Sequence, residues 1–96
     1  MAKGYWITLY HSISDPAALT EYAKRATPAI EAGGGRFVVR GMPARTYEAG
    51  LTDRSIVIEF DSVERAIATY ESPAYQAACR ILEGKARRDV RIVPGV

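Results

Sequence analysis

The chain has one cysteine, Cys79, and one histidine, His11, among its 96 residues. A lone cysteine excludes an intramolecular disulfide and a thiolate metal cluster, and Cys79 at helical spacing from apolar neighbours reads as packing rather than a reactive thiol. A lone histidine excludes the two-histidine ligand sets, and Asp15 is the one carboxylate close to it in sequence, so no metal site is expected. Charge of one sign is also missing. Thirteen basic against eleven acidic residues leave a net +2, and only Lys85, Arg87 and Arg88 form a run, which reads as a solvated face. Neither nucleic acid nor an anionic membrane is therefore an expected partner. The longest uncharged segment, Gly4 to Ser14, falls short of the roughly 20 residues a membrane span needs. The N-terminal MAKGYWITLY has no apolar run or cleavage site of a secretory leader. A soluble cytoplasmic protein of one domain, residues 1–96, is the expectation, small enough for self-assembly to be favoured.

What is present is concentrated between Ile56 and Arg80, in IVIEFDSVERAIATYESPAYQAACR. An apolar strand runs into a helix with the spacing of a capping box, Asp61 and Glu64, followed by Val63, Ala66, Ile67 and Tyr70 on one face. Ser72-Pro73 restarts the helix, since serine caps well and proline at the first helical position loses no needed hydrogen bond. Tyr75, Ala78, Cys79 and Leu82 form the second buried face, and Gly84 is the stop.

The same logic parses the rest. Tyr5 to His11 is a strand rich in aromatic and β-branched residues, and Asp15-Pro16 opens a helix with Leu19, Tyr22, Ala23, Ala26 and Ile30 on its apolar face. Pro28 is expected to kink or shorten it, and Gly33-Gly34-Gly35 to close it. Those glycines follow a helix and precede a strand, the reverse of a phosphate-cradling loop. Arg36 to Arg40, Ser55 to Phe60 and Val90 to Val93 are further strands, with a short strand conceivable at Thr46 to Ala49. The order βαββαβ predicts an α+β ferredoxin-like sandwich, both helical segments covering one face of a four-stranded antiparallel sheet.

That fold leaves one face uncovered, yet the strands do not alternate apolar with polar. Tyr5, Ile7 and Leu9 lie opposite Trp6 and Tyr10, and Ile56, Ile58 and Phe60 lie opposite Val57. An apolar face of this size on a soluble chain asks for a cover, and a second copy is the simplest one. GYW in the first strand, the Asp15-Pro16 helix start, the glycines before RFVVRG, the Glu48 segment, VIEF and SPAYQAACR, in this order, resemble the DUF1330 family over nearly the whole chain. Tyr47-Glu48-Ala49-Gly50 departs from the Leu-Glu-Gly frequent there. The resemblance implies a dimeric α+β barrel, in which two chains pack sheet against sheet. Relatives in that superfamily include cofactor-free monooxygenases, muconolactone isomerases and haem enzymes, often with a pocket between sheet and helices, but a shared fold does not carry their chemistry over.

The residues name their own candidates. Glu59 and Arg40 lie in apolar strands expected to be neighbours, so an ion pair in or near a pocket is expected. It reads either as Glu59, its pKa raised by burial, acting as a general base with Arg40 holding an anion or enolate, or as a structural pair that fixes strand register or dimer geometry. His11 is a second candidate for proton transfer. Tyr10, Tyr75 and Arg80 are candidate ligand contacts, although Arg80 lies roughly 140° around the helix from Tyr75, and the hydroxyl of a buried Tyr75 needs a partner. Ser72 is occupied as a cap and makes a poor nucleophile without a neighbouring base. No cofactor is expected. Two functions stay open: a homodimeric small-molecule-binding protein, extending to a cofactor-independent acid/base enzyme on a small carbonyl or aromatic compound, and a non-catalytic dimerisation or stress-associated module. RNA binding on the sheet ranks below both, because RSIVIEF lacks the Gly-aromatic pattern of ferredoxin-like RNA modules.

Overall fold

A computed structural model describes residues 2–96. Its elements are β1 (Gly4–Ile13), α1 (Pro16–Ala32), β2 (Arg36–Gly41), β3 (Ser55–Phe60), α2 (Val63–Tyr70), α3 (Pro73–Leu82) and β4 (Ala86–Pro94). The strands form one antiparallel sheet in the order β2-β3-β1-β4, the expected ferredoxin-like arrangement. The helices cover one face only, and the molecule is a slab 16 Å thick in its shortest dimension.

Local signals set the boundaries. Asp15 accepts a hydrogen bond from the Ala18 amide with Pro16 in the first turn, and Ser72 accepts one from the Tyr75 amide with Pro73 behind it. Pro28 does not shorten α1, which continues to Ala32. The cap of α2 is Ser62, which accepts from the Arg65 amide; Asp61 instead accepts from Arg36 across the sheet edge. The expected Asp61/Glu64 box is therefore displaced by one residue, because the serine stands closer to the first turn. No strand forms at Thr46 to Ala49, and Glu48 there takes a left-handed backbone (φ 53°).

Two positions tie the layers together. A Cβ on Gly35 would lie 2.7 Å from side-chain atoms of Ile30 and Phe60, so only glycine lets the chain turn from α1 into β2 this close to the core. Trp6, itself 1 % exposed, stands edge-on to Tyr75 at 4.7 Å and parallel to Phe60 at 6.1 Å, and its indole donates to Thr8 Oγ1 at 2.9 Å. That bond accounts for a threonine buried among aromatics.

Two bulges decide what faces where. One at Val38 lies between the pairings Phe37↔Ile58 and Val39↔Val57, and another lies between Tyr10 and Ser12 of β1, at His11. Regular alternation would put Arg36 and Arg40 on one face. The bulge sends Arg36 to the open face opposite Glu59, and Arg40 to the helix side opposite Ile56.

Candidate functional site

The helix side of the sheet holds a cleft. α1 rests mainly against α3, and bulky side chains span the space between it and β2 and β3 without filling it. A cavity of about 60 Å³ remains there. Its apolar wall includes Leu19, Ala26, Ile30, Phe37, Ile56 and Ile58, and its polar lining includes Thr8, Tyr10, Tyr22, Arg40, Arg54 and Arg88. Among the described residues no carboxylate lines it.

Arg88 organises the inner end. It faces Tyr10 across the β1–β4 ladder and donates to Tyr22 Oη and Tyr75 Oη, both at 3.0 Å, with longer contacts to Tyr10 Oη at 3.5 Å and Cys79 Sγ at 3.4 Å. The Tyr22 and Tyr75 hydroxyls are themselves 2.6 Å apart. Burial raises the pKa of both tyrosines, so they stay neutral and act as oriented dipoles. Burial opposes the charge of Arg88, but the tyrosine oxygens around it outweigh that effect and hold it cationic. Arg40 lies at the mouth, its guanidinium 4.2 Å from the centre of the Phe37 ring. Arg54 precedes β3, where its carbonyl accepts from the Tyr10 amide at 3.0 Å, and its Nε is buried without a hydrogen-bond acceptor.

The open face is built differently. Its central row is Val39, Val57 and Ile7, continued by Arg91. On one side runs the row Arg36, Glu59, Tyr5 and Val93. Glu59 accepts from Tyr5 Oη at 2.8 Å and from Arg36 at 2.9 Å. These hydrogen bonds, that of Tyr5 foremost, hold its carboxyl below the usual glutamate range against a small opposing effect of burial. On the other side, Asp89 is paired with Arg91 at 2.8 Å.

The structure thus divides the residues singled out from sequence. Arg40 and Tyr10 line the cleft, and Tyr75 stands behind it, bonded to Tyr22 and Arg88. Glu59 does not pair with Arg40, because the bulge at Val38 separates them onto opposite faces and Arg36 takes the place. Its pKa moves down, not up. His11 is exposed beside a separate open basin of about 460 Å³ under the β2–β3 connection, whose lining includes Tyr47, Asp53 and Asp89. Arg80 is exposed on α3, in a shallow depression that also reaches Arg88. Sequence reasoning missed Arg88, placed on a solvated run, and also Arg54 and the hydroxyl of Tyr22. The available signal was the strand's true start: from Ala86, alternation sets Arg88 on the face of Val90 and Ile92.

Among the described residues no group of three or more histidine, cysteine, aspartate or glutamate side chains is placed to hold a metal, and no helix is long and apolar enough to cross a membrane. Sheet order, helix placement and connectivity define a ferredoxin-like α+β fold. The chain belongs to the DUF1330 family, a domain of unknown function, whose model matches residues 3–96. Similar solved structures include the RPA0582 protein of unknown function from Rhodopseudomonas palustris, with 16% identity, TM-score 0.74, and 99% of this chain and 83% of that one covered. Another is a dimeric ferredoxin-like protein of unknown function from Thermobifida fusca YX, with 18% identity, TM-score 0.63, and coverage of 97% and 91%. A third is a candidate antibiotic biosynthesis monooxygenase from Nitrosomonas europaea, with 14% identity, TM-score 0.64, and coverage of 98% and 90%. At these identities the likeness is one of fold. No curated protein matches the chain.

Proposed function

We propose that this chain is one protomer of a homodimer closed sheet to sheet, and that it binds a small molecule in the cleft between α1 and the sheet. The observation that carries the binding half is the cleft itself, a cavity with an apolar wall and a few convergent polar groups on an otherwise filled core. The assembly half rests on the open face. Leu9, Val39 and Val93 are 39%, 47% and 41% exposed there, and Met42, Tyr47 and Leu51 of the β2–β3 connection extend the apolar surface. Both acids in the strand rows of that face are paired within the chain, so a second copy can cover them without stranding a charge. The similar Thermobifida fusca structure is dimeric, which supports a homodimer here.

Arg40 and Tyr10 are the ligand contacts in this reading, and Tyr75 holds Arg88 in place. Arg80 is not among the cleft's contacts: it lines a separate shallow depression on α3 that also reaches Arg88. Glu59 and His11 face away from the cleft, so any acid/base role for them lies on the open side, at the dimer interface or in the basin beside His11. Binding is the reading we adopt for the cleft. The other reading, a dimerisation module without ligand, rests on how small the cavity is.

Native mass spectrometry of protein purified gently from cells separates the two. The expected spectrum is a dimer carrying a defined extra mass of one small molecule per chain. An empty dimer, with no fragment of a small-molecule library shifting the emission of Trp6, would leave the dimerisation module. Monomers would remove the assembly half.

A further inference from the structure

Building on the cleft as a ligand site, we infer that its ligand is a small organic anion, a carboxylate on a short apolar body, gripped by Arg54 with Arg40 and Arg88 beside it. Three guanidinium groups line one cavity, with no acid in its walls. Among the described residues, none of the three has a carboxylate within salt-bridge distance, whereas Arg36 and Arg91 on the other face each have one. Three guanidinium groups around one opening, Arg40 on its exposed rim and Arg54 and Arg88 half-buried, give the cleft a positive potential that favours an anion. Arg88 already spends its donors on tyrosine hydroxyls. Arg54 does not: its Nε is buried and has no acceptor. A desolvated donor without a partner is costly, and a carboxylate drawn to the Arg54 guanidinium would satisfy it once the side chain turns its buried edge toward the cleft.

Two properties of the cleft narrow the anion. A guanidinium presents a planar fork that matches a carboxylate, two parallel bonds at a time. Much of the remaining lining is apolar, with residues such as Leu19, Ile30 and Ile58, which suits a hydrocarbon body and not a fully hydrated inorganic ion. A cavity of about 60 Å³ has room for roughly four to six water-sized groups at about 10–15 Å³ each. That is the scale of a short-chain acid of about six non-hydrogen atoms, such as butyrate, and a ring would need the cleft to widen, as a cavity of about 150 Å³ is needed for benzene.

Trp6 is the only tryptophan and lines the cleft, so its emission reports occupancy. The test titrates the intact protein at fixed ionic strength with butyrate and benzoate, with the uncharged butyramide and benzamide, and with inorganic phosphate. The expected result is saturable binding of at least one acid, ten-fold or more tighter than its amide and than phosphate. Arg54→Met should weaken the acid ten-fold or more without changing the amide, and Arg54→Lys should recover part of the loss. Equal affinity for acid and amide would overturn the anion and leave the cleft as a site for neutral molecules. Phosphate binding as tightly as the acids would overturn the apolar body. If neither acids nor amides bind, the anion and the cleft reading fall together.

Discussion

The two faces of the sheet carry arginines in opposite circumstances. On the open face, Arg36 is matched to Glu59 and Asp61, and Arg91 to Asp89. On the helix side, Arg40, Arg54 and Arg88 line a cleft without an acid among them. Both faces are otherwise apolar, so hydrophobicity does not distinguish their tasks. Charge pairing does, and on the proposed reading the face with paired charges is the one a second copy covers, while the face whose arginines lack acids is the one an anion enters.

The largest expected effect comes from breaking the open face. Val57→Arg sets a charge in the centre of the row Val39, Val57, Ile7. It should cost association about 3–5 kcal/mol, the penalty of an uncompensated buried charge, which is more than a hundredfold in dimer affinity. Light scattering of the variant should give the chain mass with native circular dichroism. Next is Arg88→Met on the helix side, which removes the common donor of Tyr22 and Tyr75. A loss of about 2–3 kcal/mol in urea unfolding is expected, in the range for bonds to a charged group, with no change in oligomeric mass. If Arg88→Met instead dissociated the dimer, the division of labour between faces would be wrong.

Gly35→Ala sharpens the contrast within the helix side, between its filled part and its cleft. The added methyl meets Ile30 and Phe60, so a loss of about 1–2 kcal/mol is expected from overpacking. An unchanged unfolding midpoint would mean that this corner is as loose as the cleft.

The smallest effect is the pH dependence of Glu59. Its carboxyl is held below the ordinary range by Tyr5 and Arg36, while in the unfolded chain it titrates near about 4.3. The contribution is therefore complete above that value and is lost as the pH falls through the folded pKa. Unfolding midpoints of wild type and Glu59→Gln should differ at pH 6 and converge toward pH 3. A gap independent of pH would show that the carboxylate is not what the face stabilises.

The fold was legible because its punctuation is chemical. Asp15-Pro16 and Ser72-Pro73 mark helix starts that the structure reproduces, and Ser55 to Phe60 carries apolar residues on both faces, as a strand between two neighbours does. The apolar open face was legible for the same reason. The pairing of charges was not. A bulge at Val38 splits Arg36 and Arg40 onto opposite faces, and nothing in RFVVR announces it. Arg88 was hidden by a strand that begins at Ala86, four residues before its most apolar stretch. Arg54 was hidden by lying outside any regular element, where only the tertiary contacts of α1 reveal a buried nitrogen.

The division between the faces depends first on a second copy lying against the open one. Light scattering on the unmodified protein at micromolar concentration tests this most directly. The expected species has twice the 10.5 kDa mass of the chain. A species at the chain mass itself would contradict it, leaving Leu9, Val39 and Val93 in water and the paired charges around them without the purpose assigned here.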